Sequence, residues 1–464
     1  MDRSLIISAS GIRGIVGQTV TPELAVRYGA AMGAFLRDRS PEGTGGRYVL
    51  VGRDSRTSGQ LLAAASATGL CAAGVDARLT GIGPTPTHLL AVRDDPHALG
   101  GLIVTASHNP VEWNGLKLAS PDGRFVAPAD GERITAMVES GPALVGWDEL
   151  GRFSDMPGVV EHHIERILGL DLVALDAVAA ARPTVAVDCV HGAGALVVPE
   201  LLRRMGCEVH GIGTTADGVF PRDPEPTPEN LGALGDLVRR TGADLGFAVD
   251  PDSDRLAIVD ETGRAIGEDW TLALVVEYVL GHRRGPVVTN LSSSQSIADA
   301  ARAADVELYR SPVGEARVAA VMAEVGAVIG GEGNGGVMLP DLNLTRDAPL
   351  ACALVLSLCA ERGASIGELL EGRTTYHMVK RKLERPEGSV DELLGTLEAA
   401  MGSEAEADHS DGLRLTWPDR SQWLHVRPSG TEPILRIIAE SPEAERAESL
   451  VAETAACVAR ASGS

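Results

Sequence analysis

A serine and a lysine lie ten residues apart in a segment that could support nucleophilic chemistry. Ser107 belongs to Thr-Ala-Ser-His-Asn-Pro at 105–110, and Lys117 follows in Asn-Gly-Leu-Lys at 114–117. The apolar run at 101–104 predicts a buried strand, and the Asn-Pro pair predicts a turn. Ser107 is therefore expected on a bent loop at the carboxyl end of a strand, where open α/β sheets bind ligands. Taken alone, the pattern fits a helix-capping serine and a solvated lysine better than a nucleophile beside a base.

A second loop concentrates carboxylates directly after the apolar run at 245–249. Asp250, Asp252 and Asp254 alternate there and would repel one another unless a cation lay between them. Mg²⁺ prefers such carboxylate oxygens, in octahedral geometry. A calcium-binding EF-hand is excluded because Arg255 stands at the sixth position, where that loop needs glycine. A solvated acidic turn is the alternative, and the place at the end of a buried strand favours a metal site over it.

Two further loops carry groups that suit a sugar and a phosphate. The glycine-rich stretch at 330–336 presents Glu332 and Asn334, which could bond sugar hydroxyls while the glycines let the ring approach the backbone. Arg-Pro-Ser-Gly-Thr-Glu-Pro at 427–433 combines an arginine, two hydroxyls and loop amides, a set that suits a phosphate. Ordinary turns are the alternative in both places. Arg13, flanked by glycines, could also grip an anion.

Length and charge limit the classes of function. The 464 residues predict about three to four domains. The formal charge of −23 argues against nucleic acid and anionic membranes as partners, although a locally positive pocket could still bind a small anion. The six cysteines are scattered without a Cys-x-x-Cys pair, which argues against a thiolate zinc site and a disulfide scaffold. No signal-peptide pattern or membrane-spanning run is found, so a cytoplasmic location is expected.

Alternating strands and helices predict an α/β fold for most of the chain, followed by an α+β unit in which strands pair without intervening helices. Helices are predicted at about 22–37, 59–73, 229–240, 269–281, 294–303, 315–324, 346–361, 389–400 and 442–460. Strands are predicted at about 47–51, 75–79, 101–104, 184–187, 208–212, 245–249, 286–290, 306–310, 326–330, 375–383, 413–417, 421–426 and 434–439.

The motifs together resemble the α-D-phosphohexomutases, a family that includes phosphoglucomutase, phosphomannomutase and phosphoglucosamine mutase. The resemblance runs over essentially the whole chain in the family's order. It rests on Ser-Gly-Ile-Arg-Gly (10–14), Gly-Arg-Asp-Ser-Arg (52–56), Thr-Ala-Ser-His-Asn-Pro (105–110), Asn-Gly-Leu-Lys (114–117), Asp-Pro-Asp-Ser-Asp-Arg (250–255), Gly-Glu-Gly-Asn-Gly-Gly (331–336) and Arg-Pro-Ser-Gly-Thr-Glu-Pro (427–433).

The resemblance implies four domains around a central cleft: three related mixed α/β sheet domains and a smaller α+β C-terminal domain that is flexible over the cleft. We expect an α/β domain with the phosphoserine loop at 1–150 and one with the metal loop at 151–256. An α/β domain with the sugar loop is expected at 257–372, and the α+β domain with the phosphate loop at 373–464.

The resemblance also implies roles for individual residues. Ser107 corresponds to the phosphorylated serine, Lys117 to the general acid/base, and Arg13 to an arginine near the reacting phosphate. His108, beside the serine, is a further catalytic candidate. The implied magnesium ligands are Asp250, Asp252, Asp254 and an oxygen of phosphorylated Ser107. The implied substrate-binding residues are Arg255, Glu332, Asn334, Arg427, Ser429, Gly430 and Thr431.

The implied activity is that of an isomerase, an intramolecular phosphotransferase that interconverts hexose 6-phosphate and hexose 1-phosphate. The enzyme phosphoserine and a bisphosphorylated sugar carry the phosphoryl group, with Mg²⁺ as cofactor and a hexose 1,6-bisphosphate activator that primes the serine. The partner is a small-molecule sugar phosphate, with no nucleic acid and no membrane, and the protein is expected to be a monomer or a homodimer.

The sugar is the least specified part of this expectation. Val313-Gly314-Glu315 resembles the phosphoglucosamine mutase branch, whereas Asn334 stands where many members have serine. We therefore expect glucosamine 6-phosphate as substrate, with phosphoglucomutase/phosphomannomutase activity as the alternative. A sugar phosphatase and a non-catalytic sugar-phosphate sensor are more distant alternatives. The His-Gly-Ala-Gly segment at 191–194 could suggest a hydrolase oxyanion loop, but we reject that interpretation for want of its nucleophile.

Overall fold

The structure is a computed structural model that describes residues 5–8, 11–40, 46–386, 388–429 and 434–461. The described residues form two compact units. The first unit contains residues of 1–271 and 335–369, and the second contains residues of 272–334 and 370–464. No helix within the described ranges is long and apolar enough to cross a membrane.

The strands and helices alternate over most of the chain. The strands are β1 (Ile6–Ser8), β2 (Gly11–Ile15), β3 (Tyr48–Arg53), β4 (Asp76–Ile82), β5 (Ala98–Val104), β6 (Trp113–Ala119), β7 (Phe153–Asp155), β8 (Thr184–Asp188), β9 (Glu208–Ile212), β10 (Leu245–Val249), β11 (Leu256–Val259), β12 (Val287–Asn290), β13 (Leu308–Ser311), β14 (Ile329–Glu332), β15 (Gly336–Met338), β16 (His377–Glu384), β17 (Glu406–Asp408), β18 (Leu413–Trp417), β19 (Gln422–Pro428) and β20 (Ile434–Ser441). The helices are α1 (Pro22–Asp38), α2 (Gly59–Ala72), α3 (Thr85–Asp94), α4 (Pro128–Ser140), α5 (Val159–Leu168), α6 (Leu175–Ala181), α7 (Val198–Arg204), α8 (Gly232–Thr241), α9 (Glu268–His282), α10 (Gln295–Ala303), α11 (Glu315–Val325), α12 (Ala348–Arg362), α13 (Ile366–Leu370), α14 (Val390–Met401) and α15 (Ala444–Ala461).

The largest sheet of the first unit positions both Ser107 and Lys117. Its strand order is β1-β2-β6-β5-β3-β4-β7, with β3 parallel to β5 and β6 antiparallel to both β5 and β2. All seven residues of β5 are buried, as its continuous apolar run predicts. Ser107 follows the end of β5, while Lys117 lies on β6 opposite Ile103 of β5. The prediction of a strand before the serine loop is confirmed.

The second sheet of the first unit, in the order β11-β10-β8-β9, presents the acidic loop. The buried strand β10 ends at Val249, and β11 returns antiparallel to it from Leu256. A tight connection of six residues, 250–255, therefore holds the three aspartates at the sheet edge. Leu256 donates from its amide to the carbonyl of Gly335 (3.0 Å), a bond within the first unit that connects the residue before β15 to this sheet.

The second unit contains two different kinds of sheet. Strands β13, β12 and β14 are parallel neighbours, as expected for an α/β segment. The C-terminal sheet is antiparallel in the order β16-β20-β19-β18-β17, and its apolar face packs with residues of α14 and α15. The predicted change from α/β to α+β architecture is confirmed.

Several predicted boundaries are wrong by a few residues. The helix predicted at 229–240 begins at Gly232, because Pro228–Asn230 forms a 3₁₀ turn instead. The strand predicted at 326–330 lies at Ile329–Glu332, because Gly326 adopts a φ of +63° and caps α11. The strand predicted at 306–310 likewise begins at Leu308, after Asp305 with a φ of +52°.

Two elements that matter for the site were not predicted. Strand β6 carries Lys117 in a segment interrupted by Gly115 and polar residues, which conceal its period. Helix α3 begins at Thr85 and contains Pro86 in its first turn, a position where proline is tolerated because the first amides of a helix lack helical partners.

Candidate active site

Ser107 is held in a strained, buried turn. Its φ is +50°, in the left-handed region, and only 3% of the residue is exposed. Its amide donates to Thr105 Oγ1 (2.9 Å), and its hydroxyl donates to Asp250 Oδ2 (3.0 Å). His108 Nδ1 lies 3.3 Å from the same hydroxyl. The serine hydroxyl is thus directed at the acidic loop, which argues against a solvated capping serine.

Arg56 holds the backbone of the serine loop in place. This fully buried guanidinium donates to the carbonyls of Ser107 (2.6 Å) and Asn109 (2.7 Å), and to those of Pro110 (2.6 Å) and Trp113 (2.9 Å). Its Nε donates to Asp54 Oδ2 (3.1 Å), which also accepts from the Thr105 hydroxyl. Because both terminal nitrogens of Arg56 donate to loop carbonyls, this residue serves the site by fixing the shape of the loop.

The three aspartates of the acidic loop converge on one point. One carboxylate oxygen from each of Asp250, Asp252 and Asp254 lies within 4.8 Å of the others, and all three residues are fully buried. Asp250 Oδ1 accepts from the amides of Asp254 (3.1 Å) and Arg255 (3.2 Å), which closes the turn. The predicted convergence of carboxylates is therefore present.

Cationic and hydroxyl side chains neutralise only part of this cluster. Lys117 Nζ donates to Asp252 Oδ2 (2.9 Å), and Thr85 Oγ1 donates to the same oxygen (2.7 Å). Arg346 Nη2 donates to Asp254 Oδ2 (2.5 Å). The Oδ1 atoms of Asp252 and Asp254 are buried without a hydrogen-bond partner among the described residues. Buried carboxylate oxygens left in this state fit a divalent cation, because a hard ion would complete their coordination.

The pKa values of Asp250 and Asp252 are shifted in opposite directions. Burial and the neighbouring charges of Asp254 and Asp252 raise the pKa of Asp250 well above its ordinary range. Burial alone would also raise the pKa of Asp252, but the ammonium of Lys117 outweighs it and holds that pKa below its usual range. Asp252 is thus kept as the ionised partner of Lys117, whereas burial and the neighbouring carboxylates disfavour the ionised form of Asp250.

Two arginines and a histidine surround the same point. Arg13 Nη1 donates to Asn109 Oδ1 (3.4 Å), and burial lowers its pKa although Asp252 opposes that shift. Arg255 Nη1 donates to Glu225 Oε1 (2.9 Å). Burial, Arg255 and Arg13 lower the pKa of His108 to about 2, so its imidazole is neutral. The structure therefore brings together all the predicted residues of the serine and acidic loops.

The predicted sugar and phosphate residues lie in the second unit. Glu332 Oε1 accepts from Asn290 Nδ2 (2.9 Å) and from the amide of Gly314 (3.1 Å). The Oδ1 atom of Asn334 is buried and has no hydrogen-bond partner in the described part of the chain. An unsatisfied buried acceptor of this kind suits a ligand hydroxyl.

The predicted phosphate loop is described only in part. Arg427 Nε forms an ion pair with Asp411 Oδ2 at 3.0 Å, and the amide of Ser429 donates to the carbonyl of Ile434 (2.9 Å). Burial lowers the pKa of Arg427, with Asp411 opposing that shift. Gly430 and Thr431 lie outside the described residues.

Four contributors were missed by sequence reasoning. Thr85, Glu225, Arg346 and Asp411 each contact a predicted residue, yet none belongs to the motif that it contacts. The only sequence signal that could have identified them as site residues is their position near strand ends, close to glycine or proline. Their contacts depend on how distant segments pack, which local patterns do not encode.

A hydrolase site is not supported by the described residues. Gly-x-Ser-x-Gly occurs at 363–367, but it follows helix α12, whereas a hydrolase nucleophile elbow follows a strand. Ser365 Oγ donates to Glu261 Oε1 (3.0 Å) and accepts from the amide of Glu368 (3.3 Å). This serine therefore caps α13, and the His-Gly-Ala-Gly segment has no nucleophile of that type to serve.

Sequence comparison matches the chain to four domains in order. They are described as phosphoglucomutase/phosphomannomutase alpha/beta/alpha domain I (residues 5–143), domain II (161–263), domain III (267–376) and C-terminal domain (378–456). The chain belongs to the α-D-phosphohexomutase family. The family predicted from the motifs is thereby confirmed, and with it the activity of an isomerase that moves a phosphoryl group between positions of a hexose phosphate.

Relatives cover nearly the whole chain. A "Probable phosphoglucosamine mutase" from Methanopyrus kandleri is 40% identical over 95% of both chains. A "Phosphoglucomutase/phosphomannomutase" from Thermococcus kodakarensis is 37% identical over 94% of both. Among solved structures, a phosphoglucomutase/phosphomannomutase family protein from Burkholderia thailandensis has a TM-score of 0.85 at 28% identity, covering 99% of this chain and 97% of that chain.

Proposed function

We propose that this chain is a phosphoglucosamine mutase, which converts glucosamine 6-phosphate to glucosamine 1-phosphate through a phosphoserine at Ser107 and a bisphosphorylated intermediate. The observation that carries the role of Ser107 is the 3.0 Å bond from its hydroxyl to Asp250 within the buried aspartate cluster. The choice of glucosamine is supported by the Val313-Gly314-Glu315 pattern and by similarity to a relative of that name.

Mg²⁺ is the proposed metal, held by Asp250, Asp252, Asp254 and an oxygen of phosphorylated Ser107. The Oδ1 atoms of Asp252 and Asp254, which are buried without a hydrogen-bond partner among the described residues, support this assignment, because hard oxygen ligands suit Mg²⁺. When bound, the ion supplies positive charge that stabilises the phosphoryl group during transfer. Lys117 and Arg346 already contact two of these carboxylates and would limit their mutual repulsion.

The protein groups divide the chemistry between them. The phosphoserine donates its phosphoryl group to the free hydroxyl of the sugar: the bond from phosphorus to Ser107 Oγ breaks as the bond to the sugar oxygen forms. Lys117 gives its ammonium proton to the Ser107 oxygen that is released and takes the proton of the sugar hydroxyl in its place, so the ammonium is restored. Arg13 and His108 line the place of transfer. The sugar bisphosphate then reorients without leaving the protein and returns its other phosphoryl group to Ser107.

Substrate binding is assigned to groups that match the charge and hydroxyls of the intermediate. Two phosphate monoesters together carry about −3 to −4 at neutral pH, so several cationic groups are needed on this acidic protein. Arg255 is assigned to the substrate beside the metal loop, and Glu332 and Asn334 to sugar hydroxyls. The other phosphate is assigned to Arg427, Ser429, Gly430 and Thr431.

The remaining expectations stay predictions. A hexose 1,6-bisphosphate primes Ser107, and the only partner needed is a small-molecule sugar phosphate, with no nucleic acid and no membrane. The protein is a cytoplasmic monomer or homodimer. The domain boundaries at 1–150, 151–256, 257–372 and 373–464 also stay predictions.

Parallel assays on glucosamine 6-phosphate, glucose 1-phosphate and mannose 1-phosphate, with Mg²⁺ and the corresponding bisphosphate, test the substrate. We expect kcat/KM for glucosamine 6-phosphate to exceed the others by about tenfold or more, roughly the value of one well-placed polar contact. A preference for glucose or mannose phosphates would make the protein a phosphoglucomutase/phosphomannomutase. Release of inorganic phosphate without isomerisation would make it a phosphatase, and ligand binding without any turnover would make it a sensor.

A further inference from the structure

Asp411 connects several charged and backbone groups in the second unit. It lies in the turn between β17 and β18, and 13% of its side chain is exposed. Its Oδ2 forms the ion pair with Arg427 Nε (3.0 Å) and accepts from the amide of Val313 (3.0 Å). Its main-chain carbonyl accepts from His425 Nε2 (2.7 Å). One carboxylate oxygen therefore serves an arginine of the phosphate loop and a backbone amide at the same time.

The Val313 contact extends to the sugar loop through consecutive amides. Val313 donates to Asp411, and the next amide, that of Gly314, donates to Glu332 Oε1 (3.1 Å). Gly314 directly precedes α11 and has a φ of +129°, a backbone conformation that residues with a side chain rarely adopt. Another residue at this position would therefore strain the connection between the two amides. Arg427 and Glu332 are thus linked by a short chain of polar contacts through Asp411.

The local charges leave room for an anion. Arg427 pairs across the sheet with Arg436, and Arg317 Nη1 lies 3.7 Å from Asp411 Oδ1. Two guanidinium groups, those of Arg427 and Arg317, therefore lie within ion-pair distance of a single aspartate. Guanidinium groups of this kind suit a phosphate monoester, which carries about −1.5 to −2 at neutral pH.

We propose that Asp411 is a positioning residue with two separable tasks. Its charge is the internal counter-ion of Arg427, which a substrate phosphate displaces on binding. Its oxygen anchors Val313 and so holds the backbone that Glu332 contacts. This inference rests on the proposed function, because it takes Arg427 as the ligand of a substrate phosphate.

Asp411→Asn separates the two tasks. The amide oxygen of asparagine can still accept from Val313, whereas the charge that competes with phosphate is gone. We expect the dissociation constant for inorganic phosphate, measured by isothermal titration of the full chain, to fall by about three- to tenfold. We expect kcat/KM for the sugar phosphate to stay within about threefold of the parent value or to rise.

Asp411→Ala removes both tasks. Phosphate should again bind more tightly, but KM for the sugar phosphate should rise by about tenfold because the Val313 amide loses its acceptor. Glu404→Gln is the matched control: it makes the same charge change and removes an exposed partner of Arg420 (2.6 Å). It should alter neither quantity. Circular dichroism and thermal melts check that each variant is folded.

Arg427→Ala, alone and combined with Asp411→Asn, distinguishes this inference from the proposed function. If Arg427→Ala binds phosphate like the parent, the phosphate role of Arg427 in the proposed function is wrong. If Arg427→Ala weakens binding but Asp411→Asn leaves it unchanged or weaker, the counter-ion inference alone is overturned. The inference requires that the gain from Asp411→Asn disappears in the Arg427→Ala background.

Discussion

The serine and acidic loops of the first unit and the phosphate loop of the second unit both gather charge, but they hold it differently. Around Ser107, Arg56 and the three aspartates are fully buried: Arg56 is bound to four loop carbonyls, and backbone amides close the aspartate turn. Lys117, which donates to Asp252, is 12% exposed. Around Arg427, the ion pair with Asp411 is partly exposed, at 17% and 13% of the two side chains.

This difference indicates separate physical tasks. A group that transfers a phosphoryl bond gains from a rigid setting, because small displacements raise the barrier. A group that recognises a phosphate gains from an exchangeable partner, because its charge must be compensated both before and after binding. We therefore expect changes at the first region to abolish turnover and changes at the second to weaken binding.

The largest effect is expected from Ser107→Ala. Removing the phosphate carrier should lower kcat by about 10⁴-fold or more, since the covalent step loses its nucleophile. Thermal unfolding should stay close to the parent. Ser140→Ala, on an exposed helix where the hydroxyl bonds only its own helix, is the control and should retain activity. Near-normal mutase rates in Ser107→Ala with added bisphosphate would overturn the distinction between the regions.

Asp252→Asn should have the next largest effect. The substitution removes one negative charge from the proposed metal site, and the same charge is the ion-pair partner of Lys117. It should raise the Mg²⁺ concentration needed for half-maximal activity by about 10- to 100-fold. Chelation of Mg²⁺ should abolish turnover of the parent and leave it folded. Asp236→Asn, at an exposed pair with Arg239, should keep the parent's Mg²⁺ dependence. Unchanged Mg²⁺ dependence in Asp252→Asn would remove the case for this metal site.

Arg427→Ala should act mainly on binding. Loss of a charged partner for the substrate phosphate should raise KM by about 10- to 100-fold, with a smaller change in kcat. The control is Arg420→Ala in the same domain, where the arginine contacts the exposed Glu404. If Arg427→Ala instead lowered kcat as strongly as Ser107→Ala and left KM unchanged, the proposed division of tasks would be wrong.

The smallest effect is expected from His425, which supports the phosphate-loop region. Burial lowers its pKa from 6.5 to about 4; Asp411 opposes the shift, whereas Arg414 and Arg427 favour it. The folded-state pKa is depressed, so the unfolded state binds more protons between these values and stability falls as pH drops from 6.5 towards 4. Neutral His425 also accepts from Ser292 Oγ at Nδ1 (2.9 Å), and protonation would make Nδ1 the donor in this contact.

His425→Gln should therefore reduce the loss of thermal stability between about pH 6.5 and pH 4.5, by an amount on the order of 1–2 kcal/mol. His88 in the first unit, whose pKa burial also lowers to about 4, should keep its own share of the pH dependence. His409→Gln, at an exposed histidine, should behave as the parent. An unaltered pH profile in His425→Gln would contradict this assignment.

The sequence predicted the groups that follow buried strands better than the groups that support them. Apolar runs followed by loops with polar and charged side chains were enough to predict that Ser107 and the three aspartates lie at strand ends. Arg346 and Thr85 escaped prediction because their partners lie 92 and 167 residues away. The strand that carries Lys117 was hidden by glycine and polar residues, and Gly430 and Thr431 lie outside the described residues, so their roles stay predictions.

The central claim is that Ser107 carries the phosphoryl group, and mass spectrometry tests it most directly. The full chain is incubated with a hexose 1,6-bisphosphate and Mg²⁺, and its intact mass and peptide map are recorded beside those of Ser107→Ala. We predict one added phosphoryl group, located on Ser107, which is lost on incubation with the sugar monophosphate and absent from the variant. Phosphorylation at another residue, or turnover of a chain that never carries phosphate at Ser107, would contradict the account.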